Sequence, residues 1–350
     1  MTAASRACRL AVGAALVLAG CSGDGTGDPV LVTIPAGASF AQAVDSLDTY
    51  GIVRAPWAFR LYGRATGAAS RIKAGTYAMR PGSGWRTVLD ALESGESVTA
   101  RVVVPEGWEI ARIAPRLAEA LRLDPDSVLV ALSDTTAIHR WGVPGPSLEG
   151  YLYPATYTFA FNTPLDSAIA VMVRTYRDLW TPERQAHADS IRLDEREVIT
   201  LASIIEKEAV LPDEHATISS VYHNRLRIGY PLQADPTVQY ALGGHRARLL
   251  YADIDSVADN PYNTYRIRGL PPGPIGSPSQ LAIDAALQPA ETDYLYFVAR
   301  PDGSHVFTRS LEEHNRAKVA MRRLRDTIAD SLRLDSLRLD SLRAATPPAR

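Results

Sequence analysis

Residues Glu195–Val210 read EREVITLASIIEKEAV. At about 100° per residue, the apolar side chains of such a helix fall on nearly every side. A helix without a polar face belongs inside a larger core, so the rest of the chain must supply elements that surround it. Three charges, Glu206, Lys207 and Glu208, interrupt the run at the centre of its LASIIEKEAV stretch. Burying an unpaired charge is costly. A carboxylate kept in such a place often has a raised pKa and a chemical task.

The chain has 350 residues, enough for two domains with sizeable cores. Its formal net charge of −2 gives no support to a nucleic-acid role. No internal stretch is long and apolar enough to span a bilayer. The N-terminus is of another kind. Arg6 and Arg9 precede an apolar run from Leu10 to Leu18 and then small residues, the pattern of a secretory signal. It ends in LAGC, Leu18 to Cys21, which resembles a bacterial lipobox. The expectation is a signal over 1–20, cleavage before Cys21 and a lipid on that thiol, where two acyl chains would give a stable anchor. The alternative is an ordinary signal peptide with an incidental cysteine. The only other cysteine, Cys8, lies inside the signal, so the processed chain has no internal disulfide.

Residues 21–29 read as a flexible tether. A strand over Val30–Ile34 is followed by a helix capped by Ser39 that ends near Gly51, then a second helix over Pro56–Ala65. IKAGTYAM reads as a strand, Trp85–Leu92 as a short helix, and SVTARVVVPEGW as a strand and turn before a helix near Ile110–Leu121. Interleaved strands and helices predict the α+β class, with a small module over 30–123. From residue 124 to 320 helices dominate, ending in a hairpin, DYLYFVARPDGSHVFTRS. The tail, 321–350, carries the repeat ADSLRLDSLRLDSLR. Its period of five matches no helical stripe, and its Asp/Arg pairs three apart predict an exposed, partly ordered helix.

Helix rotation separates the two glutamates. Glu206 shares its side with Ile199, Ala202, Ser203, Ala209 and Val210; Glu208 lies nearly opposite, near Glu197, Leu201 and Ile204. Small residues leave space beside Glu206, and an apolar pocket there would raise its pKa, as a general acid requires. A salt-bridged structural glutamate is the plainer alternative. Downstream, Asn224, Arg225, Gln233, Asp235, Thr237, Tyr262, Asn263 and Tyr265 supply amides, hydroxyls and rings suited to an uncharged polyhydroxylated ligand. Singly, Arg225 could pair with an acidic neighbour and Asn263 could hold a turn.

Taken in order, ASIIEKEA, VYHNRL, LQADPTVQY, YNTY and GLPPGPIGSPS resemble the endolytic murein transglycosylase family, the MltG or YceG-like proteins, over about Val30 to Ala320. IPAGASF, IKAGTY and VPEGW resemble that family's LysM-like N-terminal region. The resemblance implies a LysM-like module followed by a larger mixed catalytic domain with a buried catalytic helix. It implies cleavage of the β-1,4 bond between N-acetylmuramic acid and N-acetylglucosamine within glycan strands, terminating or trimming nascent strands. The product is a 1,6-anhydro end, and no cofactor or metal is required. The family's catalytic glutamate is the first of its EKE motif, here Glu206, acting first as acid and then as base on the C6 hydroxyl. On this reading Glu208 is structural, and Asn224, Asp235, Tyr262 and Asn263 contact substrate or orient Glu206. The expected partners are peptidoglycan strands, a membrane reached through the lipid, and peptidoglycan synthases. The family's usual transmembrane helix is replaced here by the lipobox.

Three rivals come from other classes. Ser203 and Lys207, four apart, could form a Ser–Lys dyad, although the spacing differs from S-x-x-K. A zinc hydrolase would need a pattern such as H-E-x-x-H, which none of the seven histidines forms. A peptidoglycan-binding lipoprotein without catalysis is the third, and an intact Glu206 with its surrounding motifs argues against it.

Overall fold

The computed structural model describes residues 25–136 and 138–345, the stretch 331–345 as backbone only. Cys21 and the proposed signal lie outside the described residues. Two compact units are present. One gathers the residues up to Val102 with Arg116–Asp124 and Thr156–Ala168; the other gathers Val103–Pro115, Pro125–Ala155 and everything from Ile169 onward. The division therefore interleaves along the chain instead of falling at one point near residue 123. In particular, the VPEGW turn belongs with the second unit.

In the first unit, strand β1 (Val30–Ile34) leads to helices α1 (Phe40–Thr49) and α2 (Pro56–Ala65), and strand β2 (Gly75–Met79) returns antiparallel to β1. The register pairs Val30 with Met79 and Ile34 with Gly75. Alternation puts Val32 and Ile34 on the buried face, where they join Val44, Leu47, Phe59 and Tyr77. Helix α1 begins where Ser39 closes a capping box. The Gln42 amide donates to the Ser39 hydroxyl, and the Gln42 side chain accepts from the Ser39 amide at 2.8 Å. Helix α3 (Trp85–Ser94) closes this core with Trp85, Val88 and Leu92.

Strand β3 (Thr99–Val104), helices α4 (Ile110–Leu121) and α5 (Pro125–Ser133), strand β4 (Ala155–Ala160) and helix α6 (Leu165–Leu179) follow, and β3 pairs with β4. Pro115 sits inside α4, and Ala114 to its N-terminal side is buried.

The second unit is built round one helix. After α7 (Pro182–Ser190), α8 spans Glu195–Glu208, opened by an Asp194/Glu197 capping box. Every residue from Val198 to Ile205 is buried. Helices α9 (His215–Arg227), α10 (Asp235–Ala241) and, after α11 (Tyr251–Ser256), α12 (Gln280–Leu287) pack against α8. This is the enclosure that its all-round apolar sequence requires. Beyond α12, strands β5 (Tyr296–Ala299) and β6 (His305–Thr308) form the expected hairpin, closed at Arg300–Ser304 with Gly303 at φ 86°. The left-handed backbone there suits glycine. The last element, α13 (Leu311–Ala345), is helical through the five-residue repeat. Among the described residues no helix is long and apolar enough to cross a membrane.

One expectation about α8 changes. The three charges do not lie at its centre. The helix ends at Glu208, Ala209 turns extended, and Pro212 follows soon after. Glu206, Lys207 and Glu208 are its last turn. Lys207 suits the negative end of the helix dipole, and the two carboxylates do not.

Candidate active site

The last turn of α8 sends its three charges in three directions. Glu206, half-buried, accepts two hydrogen bonds on one oxygen, from the Ser279 amide at 3.0 Å and the Ser279 hydroxyl at 2.5 Å. Ser279 is also the cap of α12, so this carboxylate is tied to a helix start. Gly107 packs against it. The Gly107 amide donates to Ser277 O at 2.7 Å, the Ser277 amide donates to Trp108 O at 2.8 Å, and an added Cβ at Gly107 would sit 3.7 Å from Glu206 Cγ. Burial raises the pKa of the neighbouring Glu106, and the charge of Glu206 raises it further, against a smaller opposing effect of His215. A second carboxylate therefore stands beside Glu206, supplied by the EGW turn.

Lys207 pairs with Glu109 at 2.5 Å. Behind this pair lies Glu149, 2 % exposed, whose two oxygens accept from the Ile110 amide at 3.1 and 3.2 Å. Burial, then the Glu109 charge, push Glu149 up to about 8; the Ile110 amide and Lys207 act against them. Tyr240 reaches it at 3.4 Å, and the Tyr262 ring packs on Tyr240 at 4.8 Å.

Glu208 points elsewhere. It forms part of the wall of a cavity of about 900 Å³, with Tyr222, Tyr230, Asp235, Tyr265 and Tyr296 among its neighbours there. The Tyr222 hydroxyl donates to it at 3.1 Å. Loss of water raises its pKa first and the Asp235 carboxylate raises it further, to about 7, while Tyr222 and the Arg225 guanidinium pull the other way. Asp235 itself accepts from the Tyr265 hydroxyl at 2.5 Å. A carboxyl raised by burial and by a neighbouring carboxylate is thus found at Glu208, which faces the protein interior, Tyr222 and Asp235.

The residues expected to touch substrate divide into two groups. Gln233, Asp235 and Tyr265 line the cavity with Glu208, and Gln233 holds a left-handed backbone at φ 46° with its amide on Thr264 O. Asn224, Thr237 and Asn263 are buried and do not line the cavity, whereas Arg225, also buried, lines it and braces its frame. Asn224 Nδ2 donates to Thr292 O and Tyr294 O, both at 2.9 Å, and its Oδ1 accepts from Arg227. The Arg225 guanidinium donates to Leu295 O at 2.7 Å and Leu232 O at 2.6 Å, under the rings of Tyr230 and Tyr296. Thr237 donates to Ala234 O and bonds Thr264; Asn263 Nδ2 donates to Ile254 O and Val257 O while its Oδ1 accepts from the Tyr265 amide. Buried amides and guanidinium groups need such partners, and backbone carbonyls meet the need. Tyr262 belongs to the Glu149 cluster and does not line the Glu208 cavity. The Ser–Lys dyad does not form: Ser203 is buried, donating to Thr200 O and accepting from the Ile275 amide, while Lys207 holds Glu109. Among the described residues no His, Cys, Asp and Glu cluster could hold a metal ion.

Tyr222, Tyr230 and Tyr296 went unnoticed in the sequence. Tyr222 stands in VYHNRL among core residues, and Tyr296 in an ordinary alternating strand; neither pattern distinguishes a cavity wall from a core. Glu106 and Glu149 sit in Gly/Pro-rich turns, whose partners depend on segments far along the chain.

A carboxyl half-protonated near neutrality, on the end of a rigid central helix and facing a ring-walled polar cavity, is the equipment of a general acid–base enzyme. The chain belongs to the YceG-like family, whose pattern it matches over residues 32–320. It is 36 % identical over 308 residues to the endolytic murein transglycosylase of Bacillus subtilis strain 168, an alignment covering 83 % of this chain and 84 % of that one. The endolytic murein transglycosylase of Streptococcus pneumoniae strain D39 is 29 % identical over 317 residues, 82 % of this chain but 57 % of that longer protein. The 2.6 Å crystal structure of a putative YceG-like protein from Listeria monocytogenes superposes with a TM-score of 0.57 at 33 % identity, covering 83 % of this chain and all of the other.

Proposed function

We propose that this protein is an endolytic murein transglycosylase, a lyase that cuts glycan strands of peptidoglycan internally, and that Glu208 is its acid and base. The observation that carries the assignment is the carboxyl pushed up to about 7 at the wall of the ring-lined cavity. The names of the similar proteins support the substrate.

In the first step the Glu208 proton passes to the bridging oxygen as the bond from C1 of the muramoyl ring breaks. The ring's own acetamido group can stabilise the electron-poor C1. The carboxylate left behind then takes the proton of the C6 hydroxyl as O6 closes on C1. One carboxyl serves both halves and returns to its protonated form, so water is not consumed and no second carboxylate is needed as nucleophile. Loss of water on burial, and then repulsion from Asp235, which Tyr265 anchors, keep Glu208 protonated. Tyr230, Tyr265 and Tyr296 offer ring faces and edges for sugar. Glu206, held by Ser279, stabilises the junction of α8 and α12 in this reading.

Digestion of purified sacculi, followed by mass spectrometry, should give muramoyl ends of the 1,6-anhydro form, lighter by one water than lysozyme products. The rate should fall as pH rises through about 7, because Glu208 enters the cycle as the acid and loses its proton there. Products with free reducing ends would make the enzyme a hydrolase, and a rate that climbs steadily above pH 8 would remove Glu208 from the acid role.

The reading extends to location. The family's activity places the chain in the cell envelope, and we place its anchor at a lipidated Cys21 that keeps the enzyme on the periplasmic side of a membrane; Arg6, Arg9 and LAGC support this. The β-α-α-β order of the first unit supports a LysM-like glycan-binding module, and peptidoglycan synthases, which make the strands, are the natural partners. Cys21→Ser should leave the protein unlipidated and move it from the membrane to the soluble fraction; unchanged fractionation would defeat the anchor.

A further inference from the structure

The Glu208 cavity has a charge pattern that general acid catalysis does not use. Its inner wall carries carboxylates, Glu208 and Asp235. Its outer wall carries Arg248 and three cations of α13, Lys318, Arg322 and Arg325, all four exposed. Leu311, His314, Asn315, Lys318, Arg322 and Arg325 line the cavity together; spaced 3, 1, 3, 4 and 3 apart, they form one stripe of that helix. The opposite side of the helix differs. Arg316 there pairs with Glu312 at 2.6 Å, whereas among the described residues no ion pair holds Lys318, Arg322, Arg325 or Arg248. Asp326, the nearest acidic residue along the helix, does not line the cavity. The three helical cations extend over roughly 10 Å of axis.

Such a row favours anions at the mouth, while Asp235, whose charge also bears on Glu208, repels them from the floor. A ligand that fits both must be neutral where it enters and negatively charged at its flanks. A glycan strand bearing short peptides meets this condition: the sugar rings are uncharged, and the peptides carry free carboxylates. We infer that Arg248, Lys318, Arg322 and Arg325 form a carboxylate-recognising rim that selects peptide-bearing strands over bare glycan. The inference rests on the transglycosylase reading and names the form of substrate that the site takes.

The test uses the purified full-length chain and its triple variant Lys318→Gln, Arg322→Gln, Arg325→Gln. Both are assayed on peptide-bearing glycan strands and on the same strands stripped of peptides by an amidase. Rim charges are individually weak, so the three together should lower kcat/KM on peptide-bearing strands by about tenfold. On stripped strands the variant should stay within about twofold of wild type. Raised salt should bring the wild type down to the variant on the first substrate alone. Equal losses on both substrates, or no loss on either, overturn the inference. So does binding of the wild type to vesicles of anionic phospholipid that the variant loses while its cleavage of peptide-bearing strands is unchanged, since the row would then face a membrane. If the wild type cleaves neither substrate, the transglycosylase reading itself fails. The rim is then judged by co-sedimentation with sacculi before and after amidase treatment, where retention that survives peptide removal overturns it.

Discussion

Glu208→Gln is expected to lose roughly 10²–10⁴-fold in glycan cleavage, the usual worth of a positioned acid–base group, and to fold normally. The upper end is favoured because the same carboxyl serves both halves of the reaction. Glutamine keeps the shape and can still accept the Tyr222 hydroxyl, now at 3.1 Å, so the cavity wall is preserved. It removes the proton held to about pH 7. Glu206→Gln should cost far less. Its amide oxygen can still accept the Ser279 amide and hydroxyl that now bind Glu206 Oε2, and it removes a charge that bears on Glu106. Initial rates of the two variants and the wild type on uncrosslinked strands, with circular dichroism to check folding, decide between the glutamates. Activity lost in Glu206→Gln and kept in Glu208→Gln would return the acid role to Glu206 and make the cavity a structural one.

Arg225→Met should lower stability by about 3–5 kcal/mol, the usual penalty for removing one member of a buried, hydrogen-bonded charged group. The guanidinium is 7 % exposed and holds the carbonyls of Leu232 and Leu295, one before α10 and the other before β5. Methionine fills much of the volume but leaves both carbonyls without their donor. It also ends the contacts with Tyr230 and Tyr296. Thermal unfolding should show a fall of about 10 °C in Tm at the usual 2–4 °C per kcal/mol for a domain this large. Arg225→Lys should recover only part of it, because an ammonium lacks the planar fork that reaches two carbonyls. Catalysis should weaken as well, but with a pH dependence displaced upward, since Arg225 is one of the groups that pull the Glu208 pKa down. An unchanged Tm would mean that the cavity frame does not depend on this residue.

Much of the architecture could be read locally. The strands at Val30–Ile34 and Gly75–Met79, the Ser39 capping box, the helix from Pro56 to Ala65 and the hairpin at residues 296–308 follow from alternation, caps and turn residues a few positions apart. Such signals lie within the reach of a single turn or strand pair. The division into units was less legible. The VPEGW turn reads as part of the N-terminal module, yet Gly107 and Trp108 hydrogen-bond with Ser277, a partner 170 positions along from Gly107, and no local pattern announces such a bond.

The site shows the same boundary more sharply. All-round apolarity determined that Val198–Ile205 would be enclosed, and the motifs determined the family and the set of polar residues that gather near the helix end. Helix rotation correctly separated Glu206 from Glu208. It could not say which side would be the more acid-like, because a raised pKa is set by lost water and by neighbouring charge, not by the identities of residues one turn away. Small neighbours beside Glu206 turned out to leave room for Ser279, which donates two hydrogen bonds to it, and for Gly107 of the EGW turn. Glu208 instead meets Tyr222 from α9 and Asp235 at the start of α10. Those partners arrive through the packing of separate helices, so the tertiary structure alone decided that Glu208 holds its proton to near neutral pH.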